Sequence, residues 1–299
     1  MRDADSLQPD SPDPEEGADA APPSWKATGT LADIVAHKRT EVEAAKAAVP
    51  LETLKERIAE LNRPRNFFQA VVRHDAANTT SVIAEIKRKS PSAGWIREEY
   101  RSDDFDPTPI ARRYHENGAA AISCLTDERF FGGHLSYIHR VKDAVPLPVL
   151  RKDFIVDPYQ VWESRAAGAD AVLLIAECLS QSEIVDLMIL ARELQLTTLI
   201  EVHSMENLLR VRPHVGFPDR SYGLLGINNR DLSAMKTDIA HTLRLIDLVE
   251  DTTTLVSESG IRTPEDLRRL RKAGVRIALV GEHLMREQDP GAALKALLA

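Results

Sequence analysis

The feature that most constrains this chain is a repeat of pattern rather than of letters. Beyond residue 80, short apolar runs rich in β-branched residues recur at 82–86, 120–125, 148–152, 171–176, 197–202, 224–228, 254–257 and 276–280. Turn residues bound each run, and the stretches between them carry apolar positions at the 3.6-residue period of a helix. A short run that is apolar throughout, without alternation, is how a strand reads when both of its faces are covered. Three helical stretches end alike, at Asn117-Gly118, Ala167-Gly168 and Ala273-Gly274, each directly before a strand. Glycine there supplies the left-handed residue that stops a helix. The phrases that follow are similar: GAAAISCL, GADAVLLIA and GVRIALVG. Eight strand–helix units between residues 81 and 299 predict an α/β fold, the (β/α)8 TIM barrel. An open, doubly wound sheet would favour a Gly-x-Gly-x-x-Gly turn after its first strand. No such turn and no Walker-type loop is present; the first strand runs instead into Lys-Arg-Lys-Ser-Pro-Ser.

The flanking sequence divides the chain into a tail over 1–30, a helical extension over 31–80 and the barrel over 81–299. Residues 1–30 hold five prolines and seven acids against Arg2 and Lys26, so 2 − 7 = −5 of the chain's net charge of −8 lies there. Such a segment lacks the apolar surface to offset its ordering entropy and is expected to be disordered, with Trp25 the one residue suited to local docking. In the extension, Asp33 reads as an N-cap before a strongly helical run; a second helix follows Pro50 and ends before Pro64. Phe67, Phe68, Val71 and Val72 mark a third, short amphipathic segment.

Composition excludes several classes. At 43% hydrophobic residues the chain has ample material for a core. No apolar run approaches the ~20 residues of a membrane helix. The polar, acidic start has no apolar core of a secretion signal, which leads to the expectation of a cytoplasmic protein. Two cysteines, Cys124 and Cys178, form neither a disulfide framework nor a zinc spacing. The acidic balance argues against a nucleic-acid partner.

A barrel keeps its chemistry at the C-terminal ends of its strands. There the sequence places Glu85, Lys87, Lys152, Glu201, Asn228 and Glu258. Residues two apart on a strand share a face, so Glu85 and Lys87 point together. One such charge alone is more often solvated or structurally paired. Six at one end of a barrel are expected to converge on a single mouth. Asp153 and Asp231 are assigned mainly to structural pairing. The nine histidines show no metal spacing and read as surface residues, and the run from Arg268 to Lys272 reads as a solvated helix face. The loops after the last two strands, with Ser259, Gly260, Gly281 and Glu282, have the small residues and helix starts that bind phosphate through backbone N–H groups. Phe131 and Phe154 are placed to form an apolar wall. Lysines among glutamates stay protonated, which suits proton transfer better than Schiff-base chemistry. No metal or cofactor motif is present.

In order, the segments IAEIKRKSPS (83–92), LRKDFI (150–155), LIEVH (199–203), GINNRDL (226–232), VSESGI (256–261) and VGEHLMR (280–286) resemble the indole-3-glycerol phosphate synthase family from about residue 31 to the end. The resemblance implies a (β/α)8 barrel with a helical extension over its mouth. It implies a decarboxylating ring closure and dehydration of 1-(2-carboxyphenylamino)-1-deoxy-D-ribulose 5-phosphate, giving indole-3-glycerol phosphate, carbon dioxide and water, a step of tryptophan biosynthesis. Lys152 would be the general acid and Glu201 the acid–base partner in the dehydration. Glu85 and Lys87 would hold further catalytic positions, and Asn228 and Glu258 would position substrate, with Arg230 supporting the Asn228 loop. Ser90 and Pro91 would shape the first loop. Ser259, Gly260, Gly281 and Glu282 would hold phosphate, Glu282 through its N–H, while Phe131 and Phe154 pack the aromatic ring. It implies no cofactor, a phosphorylated small-molecule substrate, and a monomer open to association with other enzymes of the same biosynthesis.

Two alternatives lead elsewhere. Another phosphate-binding barrel enzyme, such as phosphoribosylanthranilate isomerase, would want a Cys and an Asp at strand ends, and Cys124 lies inside the second strand instead. A non-catalytic barrel serving as a binding protein would be expected to lose at least one of the six residues. For the tail, deleting residues 1–30 is expected to leave both turnover and melting temperature unchanged within scatter. A large loss in initial rate or in thermal unfolding would show that the tail docks on the barrel.

Overall fold

The computed structural model describes residues 30–74, 79–231 and 236–299. The expectations for the tail and for Trp25 lie outside the described residues, apart from Thr30, which already opens the first helix. Eight parallel strands form a closed barrel: β1 (Ser81–Ile86), β2 (Ala121–Leu125), β3 (Val149–Lys152), β4 (Ala171–Ile175), β5 (Thr197–Val202), β6 (Gly223–Asn228), β7 (Leu255–Glu258) and β8 (Ile277–Val280). Each strand pairs with its sequence neighbours, and β8 closes onto β1 with Ser81 opposite Ile277. Nearly every strand residue is buried, because side chains of one parity fill the barrel and those of the other pack under the helices.

The outer layer consists mainly of α4 (Thr108–Glu116), α6 (Ser136–Ala144), α7 (Pro158–Ala166), α8 (Gln181–Glu193), α9 (Met205–Val211), α10 (Ala240–Leu245), α11 (Pro264–Lys272) and α13 (Pro290–Leu298). Two short helices, Glu128–Phe131 and Glu282–Arg286, lie in the loops after β2 and β8. The glycines at the repeated helix–strand junctions, Gly118, Gly168 and Gly274, have φ of 92°, 88° and 92°, the left-handed conformation expected of them. The basic run on α11 follows the predicted pattern: Arg268 and Arg269 are exposed, while Leu267 and Leu270 face the core.

Ahead of the barrel come α1 (Thr30–Ala48), α2 (Leu51–Glu60) and α3 (Phe67–Val72). The N-cap expected at Asp33 is corrected: the helix starts three residues earlier, and Asp33 sits in the first turn, where its charge complements the helix dipole. These helices run from the mouth of the barrel down its wall to its floor. At the floor, Phe67 and Val71 are fully buried and the Arg65 guanidinium donates to the carbonyls of Lys142, Val145 and Leu147, just before β3. On the wall, the Tyr159 hydroxyl of α7 donates to the carbonyls of Ala45 and Val49, at 3.1 and 2.9 Å. At the mouth, the Lys38 ammonium is 3.0 Å from both Asp127 and Asp153, residues that follow β2 and β3.

Lys38 is 5% exposed; of its three carboxylate partners, Asp127 and Asp153 are 0% and 1% exposed, while Glu41, one turn along α1, is partly exposed. Removing one partner from such a cluster leaves charge buried without compensation. Lys38→Met is therefore expected to destabilise the fold by about 3–5 kcal/mol. Equilibrium urea unfolding reads this directly, and a change under about 0.5 kcal/mol, the size of an ordinary surface substitution, would show that α1 is not held by this contact.

Candidate active site

Five charged side chains meet where the strands end. Lys152, the last residue of β3, puts its Nζ 2.5 Å from Glu258 Oε2, 3.0 Å from Glu201 Oε2 and 4.0 Å from Glu85 Oε2. Lys87, just past β1, puts its Nζ 2.9 Å from the other oxygen of Glu85. Asn228, ending β6, donates from Nδ2 to Glu201 Oε1 at 3.1 Å. All six residues expected at the strand ends are thus linked in one cluster.

Two glycines make room for it. Gly226 lies opposite Glu201 in the β5–β6 register, and a Cβ there would stand 2.3 Å from Glu258 Oε1. With any side chain at 226, Glu258 could not hold its position beside Lys152. A Cβ on Gly281 would stand 2.3 Å from Glu85 Oε1 and 2.9 Å from Glu85 Cβ. Gly281, expected at the phosphate, makes space here for the Glu85 carboxylate.

Electrostatics follow from the crowding. Burial works against the Lys152 charge, but the Glu201 and Glu85 carboxylates and the hydrogen bond to Glu258 together outweigh it and hold the ammonium well above the ordinary lysine range. Burial raises the Glu201 carboxyl, yet Lys152 and His203 dominate and bring it down to about 2. Glu258 goes the other way: burial and the neighbouring Glu201 charge push it up to about 8, against the pull of Lys152. Among the described residues its Oε1 is buried without a hydrogen-bond partner, so no donor there stabilises the charged form. Glu85 is held below the usual range by Lys87 and Lys152 despite its burial. At neutral pH the cluster therefore combines fixed ammonium donors, two carboxylates and one neutral carboxyl.

Around this centre lie the loops. Arg230 donates from its backbone N–H to Asn228 Oδ1, as expected of a residue supporting that loop. Its guanidinium also bridges Ser92 Oγ at 3.1 Å and Glu282 Oε2 at 2.9 Å, tying the loop after β1 to the one after β8. Glu282 bonds Arg286 as well, so its carboxylate is occupied. In the loop after β1, Lys89–Ser90 pairs with Gly94–Trp95 in a small hairpin, and Pro91 sits exposed at its tip. Ser259 and Gly260, after β7, are both left-handed, at φ 68° and 80°. The rings of Phe131 and Phe154 lie 5.9 Å apart, forming one apolar patch beside β2 and β3.

One sequence expectation is corrected here. The histidines are expected at the surface, but the His203 side chain is only 9% exposed. It lies two residues beyond Glu201, and the same alternation that brings Lys87 beside Glu85 turns it inward. His203 Nε2 is 3.3 Å from Glu201 Oε1, and Nδ1 is 3.1 Å from Glu177 Oε2. Glu177, in the turn after β4, escaped sequence reasoning because it lies past a strand end and carries no motif. Asp153 behaves as expected, bonded to Thr126, Arg151 and Lys38; the Asp231 side chain lies outside the described residues. Among the described residues no group of His, Cys, Asp or Glu is arranged to hold a metal ion.

A family model described as indole-3-glycerol phosphate synthase matches residues 31–297. An indole-3-glycerol phosphate synthase of Rhodopirellula baltica is 47% identical over 269 residues, covering 90% of this chain and 98% of that one. One of Acidithiobacillus ferrooxidans is 46% identical over 270 residues, with 90% and 98% covered. Among solved structures, 3-hexulose-6-phosphate synthase from Salmonella typhimurium aligns with a TM-score of 0.54 at 14% identity, covering 73% of this chain and 96% of that chain, which speaks for the barrel alone. The sequence match spans the extension and all eight strands, and the chain belongs to the indole-3-glycerol phosphate synthase family, a family of carboxy-lyases.

Proposed function

We propose that this mouth closes the five-membered ring of indole-3-glycerol phosphate. The substrate is 1-(2-carboxyphenylamino)-1-deoxy-D-ribulose 5-phosphate; the products are indole-3-glycerol phosphate, one carbon dioxide and one water. The observation that carries this reading is the Lys152 ammonium, held between Glu201 and Glu258 at 3.0 and 2.5 Å beside the Phe131–Phe154 patch. A fixed N–H donor next to an apolar surface suits an aromatic ring that must attack a carbonyl.

In the first step the ring carbon bearing the carboxylate bonds to the ribulose carbonyl carbon. The carbonyl π pair takes a proton from Lys152, which serves as general acid. The new intermediate is no longer aromatic; losing carbon dioxide returns the bonding pair to the ring. The resulting alcohol then leaves as water as the nitrogen's electron pair drives it out and a ring-carbon proton is removed. Glu201, ionised at neutral pH, is assigned the base in that elimination, and Lys87 with Glu85 the second proton transfer. Asn228 and the neutral Glu258 hold substrate hydroxyls, and Arg230 steadies the loop that carries Asn228. The phosphate is assigned to N–H groups of Ser259, Gly260, Gly281 and Glu282, with Ser90 and Pro91 shaping the facing loop. Bending the substrate so that the reacting carbons approach to about 3–3.5 Å is work suited to a rigid mouth. The same reading extends to a chain that acts as a monomer in the cytoplasm, which light scattering of the purified protein would check in its first part. Among the described residues no helix is long and apolar enough to cross a membrane.

The decisive assay mixes purified protein with the substrate and follows indole fluorescence in the presence of chelator. A rise is expected; a folded protein giving none would overturn the reading. Lys152→Ala is expected to lower turnover by about 10²–10⁴-fold with an unchanged circular dichroism spectrum, and wild-type rates in that variant would remove Lys152 as the acid.

Glu258 yields a second check. Its carboxyl holds its proton up to about pH 8 in the fold, against an ordinary value near ~4.3 in the unfolded chain. The folded state therefore binds more protons than the unfolded one between those values, and this contribution is full below the lower pKa and lost as pH rises through the upper one. Wild type is expected to lose stability relative to Glu258→Gln from about pH 4 to about pH 8. Parallel unfolding curves across that window would show that Glu258 titrates normally.

A further inference from the structure

The interactions of His203 reach beyond the residues that touch substrate in the proposed reaction. Its ring lies between two carboxylates, Glu201 in the mouth and Glu177 behind it. Glu177 Oε1 accepts two N–H bonds, from the His203 backbone at 2.8 Å and from Asn207 Nδ2 at 3.0 Å. Glu201 accepts from Lys152 at 3.0 Å and from Asn228 at 3.1 Å. His203 Nδ1 hydrogen-bonds Glu177 at 3.1 Å, and Nε2 meets Glu201 at ion-pair distance, 3.3 Å. A lone pair on either ring nitrogen would face a carboxylate oxygen, so the geometry favours an imidazole with a proton on both nitrogens.

The frame behind the ring is rigid. Asn207 Oδ1 accepts from Arg210 Nε and Nη2, at 3.1 and 2.8 Å, and Arg210 also donates to the carbonyls of Leu179 and Ala176. The His203 carbonyl lies 3.0 Å from His241 Nε2. A chain of polar contacts therefore runs from α9 through Asn207, Glu177 and His203 to Glu201 and Lys152.

We propose that His203 is a positioning residue: an imidazolium, held from behind by Glu177, that fixes the Glu201 carboxylate in one orientation and keeps it ionised for its part in the reaction. The inference rests on the proposed function for the meaning of Glu201, but the protonated bridge itself does not. The charged and titratable groups facing His203 are Glu177 from the turn after β4, Glu201 from β5 and Glu258 from β7, with His241 from α10 at its carbonyl. Burial works against the charge on the ring, and the Glu177 and Glu201 carboxylates outweigh it, so the imidazole keeps its proton above the ordinary histidine range.

The test has a spectroscopic arm and a kinetic arm. ¹⁵N-NMR of the folded wild-type protein is expected to show both His203 ring nitrogens protonated at pH 7.5, and Glu177→Gln to return the ring to one proton. A neutral His203 ring in wild type at that pH overturns the proposal, whatever the protein's activity. In the kinetic arm, His203→Gln keeps a donor but removes the charge. Both variants are expected to lower kcat by about 10- to 100-fold with KM within about twofold, since a misplaced acid–base group costs rate more than binding. With the cation gone the Glu201 carboxyl binds protons more tightly, so the acid limb of the kcat profile moves to higher pH. The double variant is expected to be no slower than the slower single one, because both act through one contact. Unshifted acid limbs in both variants, or a rise in KM at constant kcat, would overturn the assignment. Should wild type fail to turn over the substrate, the proposed function falls while the NMR arm still decides the state of His203.

Discussion

An ammonium group drawn out of water at the end of a barrel strand is tolerable only with anionic partners close by. Lys152 is 13% exposed, and much of the mouth is the consequence of giving it those partners. Glu258 comes from β7, four strands away across the barrel, and Glu201 from β5, two strands away, so the meeting of Lys152 with Glu258 depends on closure of the sheet. It depends equally on Gly226, whose missing side chain is the space that Glu258 occupies. Three carboxylates around one cation would repel one another, and the cluster resolves this by treating them unequally. Lys87 answers Glu85, Lys152 and His203 answer Glu201, and Glu258 stays neutral.

Three consecutive residues show how a single strand end serves two structures. Lys152 faces the barrel interior, while Arg151 and Asp153 face outward and bond each other at 3.1 Å. Arg151 continues to Glu163 on α7, and Asp153 to Lys38 on α1. The extension is thereby fastened to the residue adjacent to the candidate acid. The alternation of the strand separates the two networks, so a stabilising set of ion pairs and a chemically poised one coexist within a tripeptide.

How far the sequence can be read is decided by geometry. All eight strands lie within a residue or two of their expected bounds, because a buried parallel strand leaves a run of apolar residues that turn residues delimit. Glu85, Lys87, Lys152, Glu201, Asn228 and Glu258 were legible for a related reason: a polar or charged residue at the C-terminal end of such a run has little but the mouth to face. His203 was not, although it stands to Glu201 as Lys87 stands to Glu85. A histidine sought by metal spacing is passed over when its partners are carboxylates from other strands. Lys38 sits in a helix dense with Lys, Arg and Glu, where one buried cation looks like its solvated neighbours. Gly226 reads as an ordinary strand residue, since the side chain it accommodates is 32 positions away in sequence.

Charge balance also bears on how a doubly anionic substrate would enter. Lys87, Lys152 and His203 are matched by Glu85, Glu201 and Glu177, so the inner mouth is close to neutral once Glu258 holds its proton. A substrate carboxylate and phosphate must then be met by donors that their present partners can release. Arg230 is placed for this at the rim, sharing Glu282 with Arg286 and only 20% exposed. If Arg230 turned from Glu282 toward an incoming anion, Glu282 would keep Arg286, and no carboxylate would be left buried and unpaired. The paired inner cluster could then remain fixed while the rim rearranges, which is the division a preorganised acid–base site requires.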